Sequence, residues 1–388
     1  MKKNIRIMYA VSLLQGMVFY GPIATLYRQA RGVSVFEITL IESISLALCL
    51  VLEIPWGFVA DRIGYKRTMA FCCGLYFVSK VVFWQAEGFW GFLAERILLS
   101  VVMAGLSGVD ESILYLSCKK EDSQRVFGLY NGLGTAGLLI ASAVFSLFIG
   151  GNDRLAGGLT VVSYGLAALL SLLLVEVKGE SRAMSLAQLK ALLLGAFRGK
   201  TPLLLLAASA FLSEANQTIT VFLGQVKYAS CGLSAPAMGY VYAAVTLIGL
   251  CGVLSSRLSA AVGRIRLSML LYGAAAAACL LMAFSGSAVV SIAAVLTLRL
   301  TASLFQPLTL TLQNELIATP HRATALSINA MIMDSVGVGT NLLFGALSDV
   351  SLRSSLLFGA ALCLTGGGLL LGFFRAEKRP WQRGEAHL

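Results

Sequence analysis

The chain has 388 residues, of which 57% are hydrophobic and 13% charged, and 30 Lys and Arg against 19 Asp and Glu give it a net charge of +11. Soluble globular chains carry about 25% charged residues, so composition excludes that class. Apolar runs of roughly 20 residues recur along the whole length, each able to cross a bilayer core as a helix. Lipid offers the backbone no hydrogen-bond partners, so each run must satisfy its own. The fold class that follows is an all-α integral membrane protein.

Twelve spans are expected, near 7–27, 36–58, 68–86, 90–116, 126–149, 156–176, 202–226, 235–255, 267–285, 288–313, 324–348 and 354–374. The first follows Lys2, Lys3 and Arg6. It is too long for a signal-peptide core and no A-x-A-like cleavage site follows it, so it is expected to remain as a helix. It carries Gln15 and the pair Phe19-Tyr20. Span two carries Glu42 and ends in "EIPWG", from Glu53 to Gly57. Directly after it comes "GFVADRIGYKR", residues 57–67, which sets Asp61, Arg62, Lys66 and Arg67 between two apolar runs.

Span four holds Glu95 and Arg96 and closes on "SGVDESILY", with Asp110 and Glu111. Span five, "FGLYNGLGTAGLLIASAVF", contains Gly128, Gly132, Gly134 and Gly137. After span six, residues 178–200 form a cytoplasmic linker. Within it Leu186, Leu189, Leu193 and Phe197 share one helical face, which suits a helix lying in the membrane interface. Glu214 and Gln217 fall in span seven, Arg299 in span ten and Asp334 in span eleven; residues 375–388 form a tail.

The positive charge is sorted by side. With the N-terminus taken as cytoplasmic, 22 of the 30 Lys and Arg fall on cytoplasmic segments. Six lie on the outer side or at span ends near it: Arg28, Arg31, Lys80, Arg154, Lys227 and Arg353. This positive-inside bias predicts a multi-pass cell-membrane protein with both termini cytoplasmic. The basicity therefore reads as topology and contact with anionic lipid, and nucleic acid is not an expected partner. The eight cysteines form no C-x-x-C pair, and most read as small buried hydrophobes. No metal or cofactor is called for.

The chain also repeats itself. Gly57-Phe-Val-Ala-Asp-Arg62 is echoed by Gly252-Val-Leu-Ser-Ser-Arg257. Arg96 with Asp110-Glu111 is echoed by Arg299 with Asn314-Glu315, and Arg125 with Asn131 by Arg322 with Asn329. All these pairs are separated by nearly half the chain. Two six-span halves follow, 1–177 and 201–374, joined by the linker.

The stretch from Gly57 to Arg67 resembles the loop signature of the major facilitator superfamily, matching at Gly57, Asp61, Arg62, Gly64, Lys66 and Arg67. Tyr65 stands where the family commonly has a basic residue. The "EIPWG" and "SGVDESILY" stretches are similar to family variants as well. The resemblance implies twelve transmembrane helices in two pseudo-symmetric six-helix bundles, a monomer, and transport of a small molecule by alternating access. It also implies that Asp61 helps latch the cytoplasmic side shut. Arg62, Lys66 and Arg67 would then meet carboxylates such as Glu53, Asp110 or Glu111. Physically, Gly57 permits close helix approach, Gly64 a turn with positive φ, and Asp61 near a helix C-terminus needs donors.

Charges at mid-membrane are costly and normally face a cavity or a partner. The candidates are Glu42, Glu95, Arg96, Glu214, Arg299 and Asp334. The resemblance implies that spans one, four, seven and ten line the central cavity, which nominates Gln15, Arg96, Glu214, Gln217 and Arg299. Ser100 stands where a glycine often follows the span-four arginine. Glu214 is the leading candidate for proton coupling, because a carboxylate in a low-dielectric cavity can load and release a proton near neutrality. A permanent ion pair with Arg96 or Arg299 is the competing reading of Glu214. No H-E-x-x-H, G-x-S-x-G or phosphate-cradling loop occurs, so enzyme activity is not expected. The expected function is proton-coupled export of small amphipathic compounds. Import or exchange of a polar solute such as a sugar, peptide or organic anion is the alternative. Span five lacks the Gly-Pro pair that the resemblance would lead one to expect of a proton-driven drug exporter.

Overall fold

The structure is a computed structural model that describes residues 2–119, 122–177, 200–317 and 322–384. The expected interfacial helix around 186–197 and the residues around His321 lie outside the described residues, as do the side chains of Gly57 and Asp61. Among the described residues all regular structure is helical.

The N-terminal helices are α1 (Lys2–Gly16, continuing after a break as Gly21–Ile23 and Ala24–Gln29), α2 (Val35–Ile63), α3 (Tyr65–Gln85), α4 (Gly88–Leu106, then Val109–Ser117), α5 (Ser123–Val144 with a π-type turn, Phe145–Ile149) and α6 (Asp153–Ser171). There follow α7 (Lys200–Thr218, a π-type turn at Ile219–Leu223, and Gly224–Ser230), α8 (Ala235–Gly249, Leu250–Leu254, Ser255–Val262), α9 (Arg264–Phe284), α10 (Ala288–Leu316), α11 (Arg322–Val350) and α12 (Leu352–Gly384). Eleven helical stretches among the described residues are long and apolar enough to cross a membrane. The remaining expected span, span seven at 202–226, is helical as α7 but is not among those eleven. Its run of Ser213, Glu214, Asn216, Gln217, Thr218 and Thr220 dilutes the apolar signal.

The chain divides into two compact units, Met1–Arg182 with Leu233–Thr246, and Ala183–Gly232 with Leu247–Leu388. In the first unit α1 packs on α5 and α6, α3 on α4 and α6, and α2 on α4. In the second α7 packs on α11 and α12, α9 on α10 and α12, and the Leu250–Val262 part of α8 on α10. The two sets of pairs correspond helix for helix, so the sequence repeat is also a repeat of packing. Each unit turns between its second and third helices at a glycine. Gly64 has φ 97° and ψ 150°, and Gly263 has φ 89° and ψ 142°, a region that side-chain-bearing residues rarely adopt.

The break in α1 would be costly in lipid if its polar groups were left bare. Helix α6 supplies the partners. Ser163 Oγ donates to Leu14 O at 2.7 Å, Tyr164 OH donates to Gln15 O at 2.6 Å, and Phe19 N–H donates to Thr160 Oγ1 at 3.0 Å. On its other side α1 meets α5 backbone to backbone. A Cβ on Gly137 would run into Leu13 O and Gly16, and one on Gly16 into Gly134 O. Ser12 Oγ donates across the same seam to Tyr130 O at 2.7 Å. Ser100, where the family resemblance suggested a glycine, is buried and joins α4 to α2 through Ser45, with the two Oγ atoms 2.7 Å apart.

These contacts separate the glycines of α5. Gly137→Val should force α1 and α5 apart and destabilise the protein by about 1–3 kcal/mol, the usual cost of overpacking. Gly132 has open space where its Cβ would be, so Gly132→Ala should be neutral or stabilising by up to about 1 kcal/mol. Thermal unfolding of both variants in detergent checks the contrast.

Candidate transport site

The second unit contains a cavity of about 340 Å³ between α7, α10 and α11. Gln217 of α7, Arg299 of α10 and Asp334 of α11 all line it, so the structure brings together three residues singled out from sequence. Residues that the sequence reading did not nominate complete the lining, among them Ser209, Asn216, Gln306, Thr309 and Gln313. The signal for them was present as a stripe of polar residues on α10 at 299, 303, 306, 309 and 313, which is helical spacing along one face. Asn329 Nδ2 donates to Gln313 Oε1 at 3.3 Å, and Ser209 and Thr309 hydroxyls lie 3.3 Å apart, fixing parts of that lining. Gly249 of α8 makes room for Arg299, since a Cβ there would lie 2.6 Å from Nη2.

Glu214 is placed differently. It is 9% exposed, is not a lining residue of this cavity, and packs between α7 and α11. A Cβ on Gly337 would lie 2.8 Å from Glu214 Oε1, so that glycine is what admits the carboxylate. Asn341 Nδ2 donates to Glu214 Oε2 at 3.4 Å, and Thr218 Oγ1 donates to Asn341 Oδ1 at 2.8 Å. The carboxylate thus ends a short relay of neutral groups joining α7 to α11.

In the first unit Arg96 of α4 forms an ion pair with Glu42 of α2. Gln15 Nε2 donates to Cys73 Sγ at 3.4 Å. Glu95 is 1% exposed and lies 3.6 Å from Lys80 Nζ of α3. Sequence position suggested that Lys80 and Arg28 lie on or near the outer side of the membrane. The structure adds that both are buried among the helices, 5% and 7% exposed. Hydropathy marks where a span ends but not which way a side chain near that end points.

At the loop following α2, Asp61 and Arg62 belong to the last helical turn, and the turn itself is Gly64. Lys66 offers its backbone N–H to Glu176 Oε1 at 3.2 Å. That carboxylate sits at the N-terminus of α3, where the helix dipole favours negative charge. Asp110 accepts from Tyr130 OH at 3.1 Å and from the Glu111 N–H at 2.8 Å. Among the described residues no ion pair joins Arg62, Lys66 or Arg67 to Asp110 or Glu111. The arrangement expected there occurs in the other half, where Arg264 Nη1 lies 2.9 Å from both oxygens of Glu315.

The two kinds of ion pair should differ in worth. Glu42→Gln leaves a mostly buried Arg96 uncompensated and should cost about 3–5 kcal/mol, while replacing both partners by apolar residues should recover most of that loss. Glu315→Gln opens a pair that is nearly half exposed and should cost at most about 1 kcal/mol. Thermal unfolding of the single and double variants measures both.

Comparison with known proteins gives one account of this geometry. The family model described as Major Facilitator Superfamily matches residues 7–340. A curated relative, an uncharacterized MFS-type transporter of Methanocaldococcus jannaschii, is 28% identical over 155 residues, which is 39% of this chain and 38% of that protein. A mutant of the nucleoside transporter NupG superposes with a TM-score of 0.82 at 14% identity, over 96% of this chain and 100% of the other. A bacterial homolog of the human lysosomal transporter Spinster gives 0.74 at 15% identity, over 96% of each chain. A D-xylose-proton symporter gives 0.74 at 14% identity, over 96% and 97%. At these identities the solved structures establish the fold. The chain is a multi-pass membrane transporter and belongs to the major facilitator superfamily.

Proposed function

We propose that this transporter is a secondary active carrier of a small polar solute, coupled to protons and working by alternating access. The observation that supports the solute class is the lining of the cavity in the second unit. Ser209, Asn216, Gln217, Gln306 and Gln313 surround it together with Arg299 and Asp334. Its volume, about 340 Å³, is at the lower end of the usual range for small-molecule sites. A uniformly greasy wall would suit an amphipathic drug better than this one does. Two of the similar structures are named for transport of polar solutes, a nucleoside and D-xylose. Export of small amphipathic compounds is the second reading, supported by Phe305, Leu326 and Met333 on the same wall.

In the proposed cycle the two halves rock about a mid-membrane site, as in other carriers built from repeats. Solute and proton each bias the same two-state equilibrium. Gln217, Arg299 and Asp334 contact the solute, and Glu214 carries the proton. Gln15, Glu42 and Arg96 form the first unit's part of the pathway. Asp61 and its neighbours Gly57, Arg62, Gly64, Lys66 and Arg67, with Glu53, Asp110 and Glu111, form the latch. The protein acts as a monomer in the plasma membrane with both termini cytoplasmic.

The test uses purified protein in liposomes loaded with a pH-sensitive dye. Sugars, nucleosides, peptides, organic anions and amphipathic cations are added one at a time across an imposed proton gradient. A polar class should move protons in the wild type, and Glu214→Gln should abolish that movement while keeping solute counterflow. Proton movement with amphipathic cations alone would install the second reading. Solute-driven proton movement that survives in Glu214→Gln would remove that residue from the coupling. Asp61→Asn should slow turnover without lowering the amount inserted; turnover equal to wild type would remove the latch.

A further inference from the structure

The buried charges of the first unit do not balance. Lys80 with Glu95, and Arg96 with Glu42, are two neutral pairs. Arg28 of α1 is left over. It is 7% exposed, its Nε–H has no acceptor, and no carboxylate pairs with it among the described residues. Its guanidinium carbon lies 5.4 Å from the centre of the Phe83 ring and 5.9 Å from that of Phe92. Phe83 in turn stacks on Tyr20 at 4.0 Å, and Tyr20 OH accepts from Lys80 Nζ at 3.1 Å. Arg96, Glu95 and Glu42 lie within electrostatic range of Arg28. On the rim, Asp153 is outnumbered by Arg31 and Arg154 near Tyr27.

Ring faces attract a guanidinium, but they bring no negative charge. An unpaired cation inside a membrane protein is expensive unless something compensates it, and an orphaned buried donor calls for a water or an ion. Two further buried atoms in the same cluster, Arg96 Nε and Glu95 Oε2, also lack partners. Glu95 cannot serve as the missing counter-charge, because it already answers Lys80.

We propose that Arg28, set against Phe83 and Phe92 beside the Lys80–Glu95 and Arg96–Glu42 pairs, binds a small monovalent anion. The ligand is either a halide or the carboxylate of a small organic solute. This inference is independent of the cavity between α7, α10 and α11, and it places an anion requirement at the end of α1 remote from the N-terminus.

The experiment follows thermal unfolding of the full-length protein in detergent at constant ionic strength, with bulky gluconate replaced stepwise by chloride, bromide or formate. A binding anion raises the midpoint by mass action, with a rise that sets in near its dissociation constant and continues with the logarithm of its concentration. The expected result is a rise with that dose dependence, lost in Arg28→Met and kept in Arg353→Gln, which changes an exposed arginine of the other unit. A response to chloride and bromide alone assigns an inorganic ion; a stronger response to formate assigns a carboxylate. Should Arg28→Met fail to accumulate, Arg28→Lys, which keeps the charge but loses the Nε–H, must need a higher anion concentration for the same rise. Equal midpoints in all four anions overturn the site, as does an unchanged response in Arg28→Met or Arg28→Lys.

Discussion

Inside a bilayer no water is at hand to satisfy a polar group, and that constraint organises the rest of this structure. It explains why the break in α1 is tolerable only beside α6, whose Thr160, Ser163 and Tyr164 take up the freed backbone groups. It explains why Ser45 and Ser100 face each other and not the lipid. The same constraint governs the charges. Glu42 and Arg96 meet across α2 and α4, Lys80 and Glu95 across α3 and α4, and Glu214 is received by Asn341 of α11. A helix pair in this protein is therefore specified by what its polar residues need as well as by how its small residues pack.

The two halves apply one plan with different chemistry. Corresponding helices make corresponding contacts, and the turns at Gly64 and Gly263 share a backbone conformation. At those turns the interactions diverge. The second half holds its loop with an Arg264–Glu315 side-chain pair, while the first uses the Glu176 carboxylate against the Lys66 backbone N–H. The difference follows from one position, because Tyr65 stands in the first half where Arg264 stands in the second. Without a guanidinium at that place, Glu111 has no matching donor, and the helix N-terminus is answered by Glu176 of the segment after α6.

What could be read from the sequence follows the range of each interaction. Spans are local in sequence, and the helices were legible from apolar runs alone; Gly64 was legible as a turn because glycine accepts positive φ and sits in the Gly57–Arg67 loop stretch. Partners are not local. Nothing in the sequence says that Arg96 finds Glu42, since that choice depends on which faces of α2 and α4 turn toward one another. The burial of Arg28 and Lys80 was hidden for a related reason. Both lie near span ends, where hydropathy cannot tell a residue facing water from one folded back among rings. The cavity was half legible: Arg299 and Gln217 stood out by charge or family position, whereas Gln306 and Gln313 needed the helical register of α10 to be taken seriously.

In the proposed mechanism the least apolar span, α7, is also the one given the most to do. Its polar residues point two ways. Ser209, Ser213, Asn216 and Gln217 line the cavity, while Glu214 turns toward Gly337 and Asn341. Under the proposed mechanism, solute and proton therefore act at neighbouring positions of one helix, within one turn of each other. A solute drawing Gln217 inward would shift α7 against α11 and change the fit of Glu214 in the space that Gly337 leaves. Coupling needs no direct contact between solute and proton in such an arrangement, only a helix whose position both of them bias. That also accounts for the glycine opposite the carboxylate, because a side chain at 337 would pin α7 in one place.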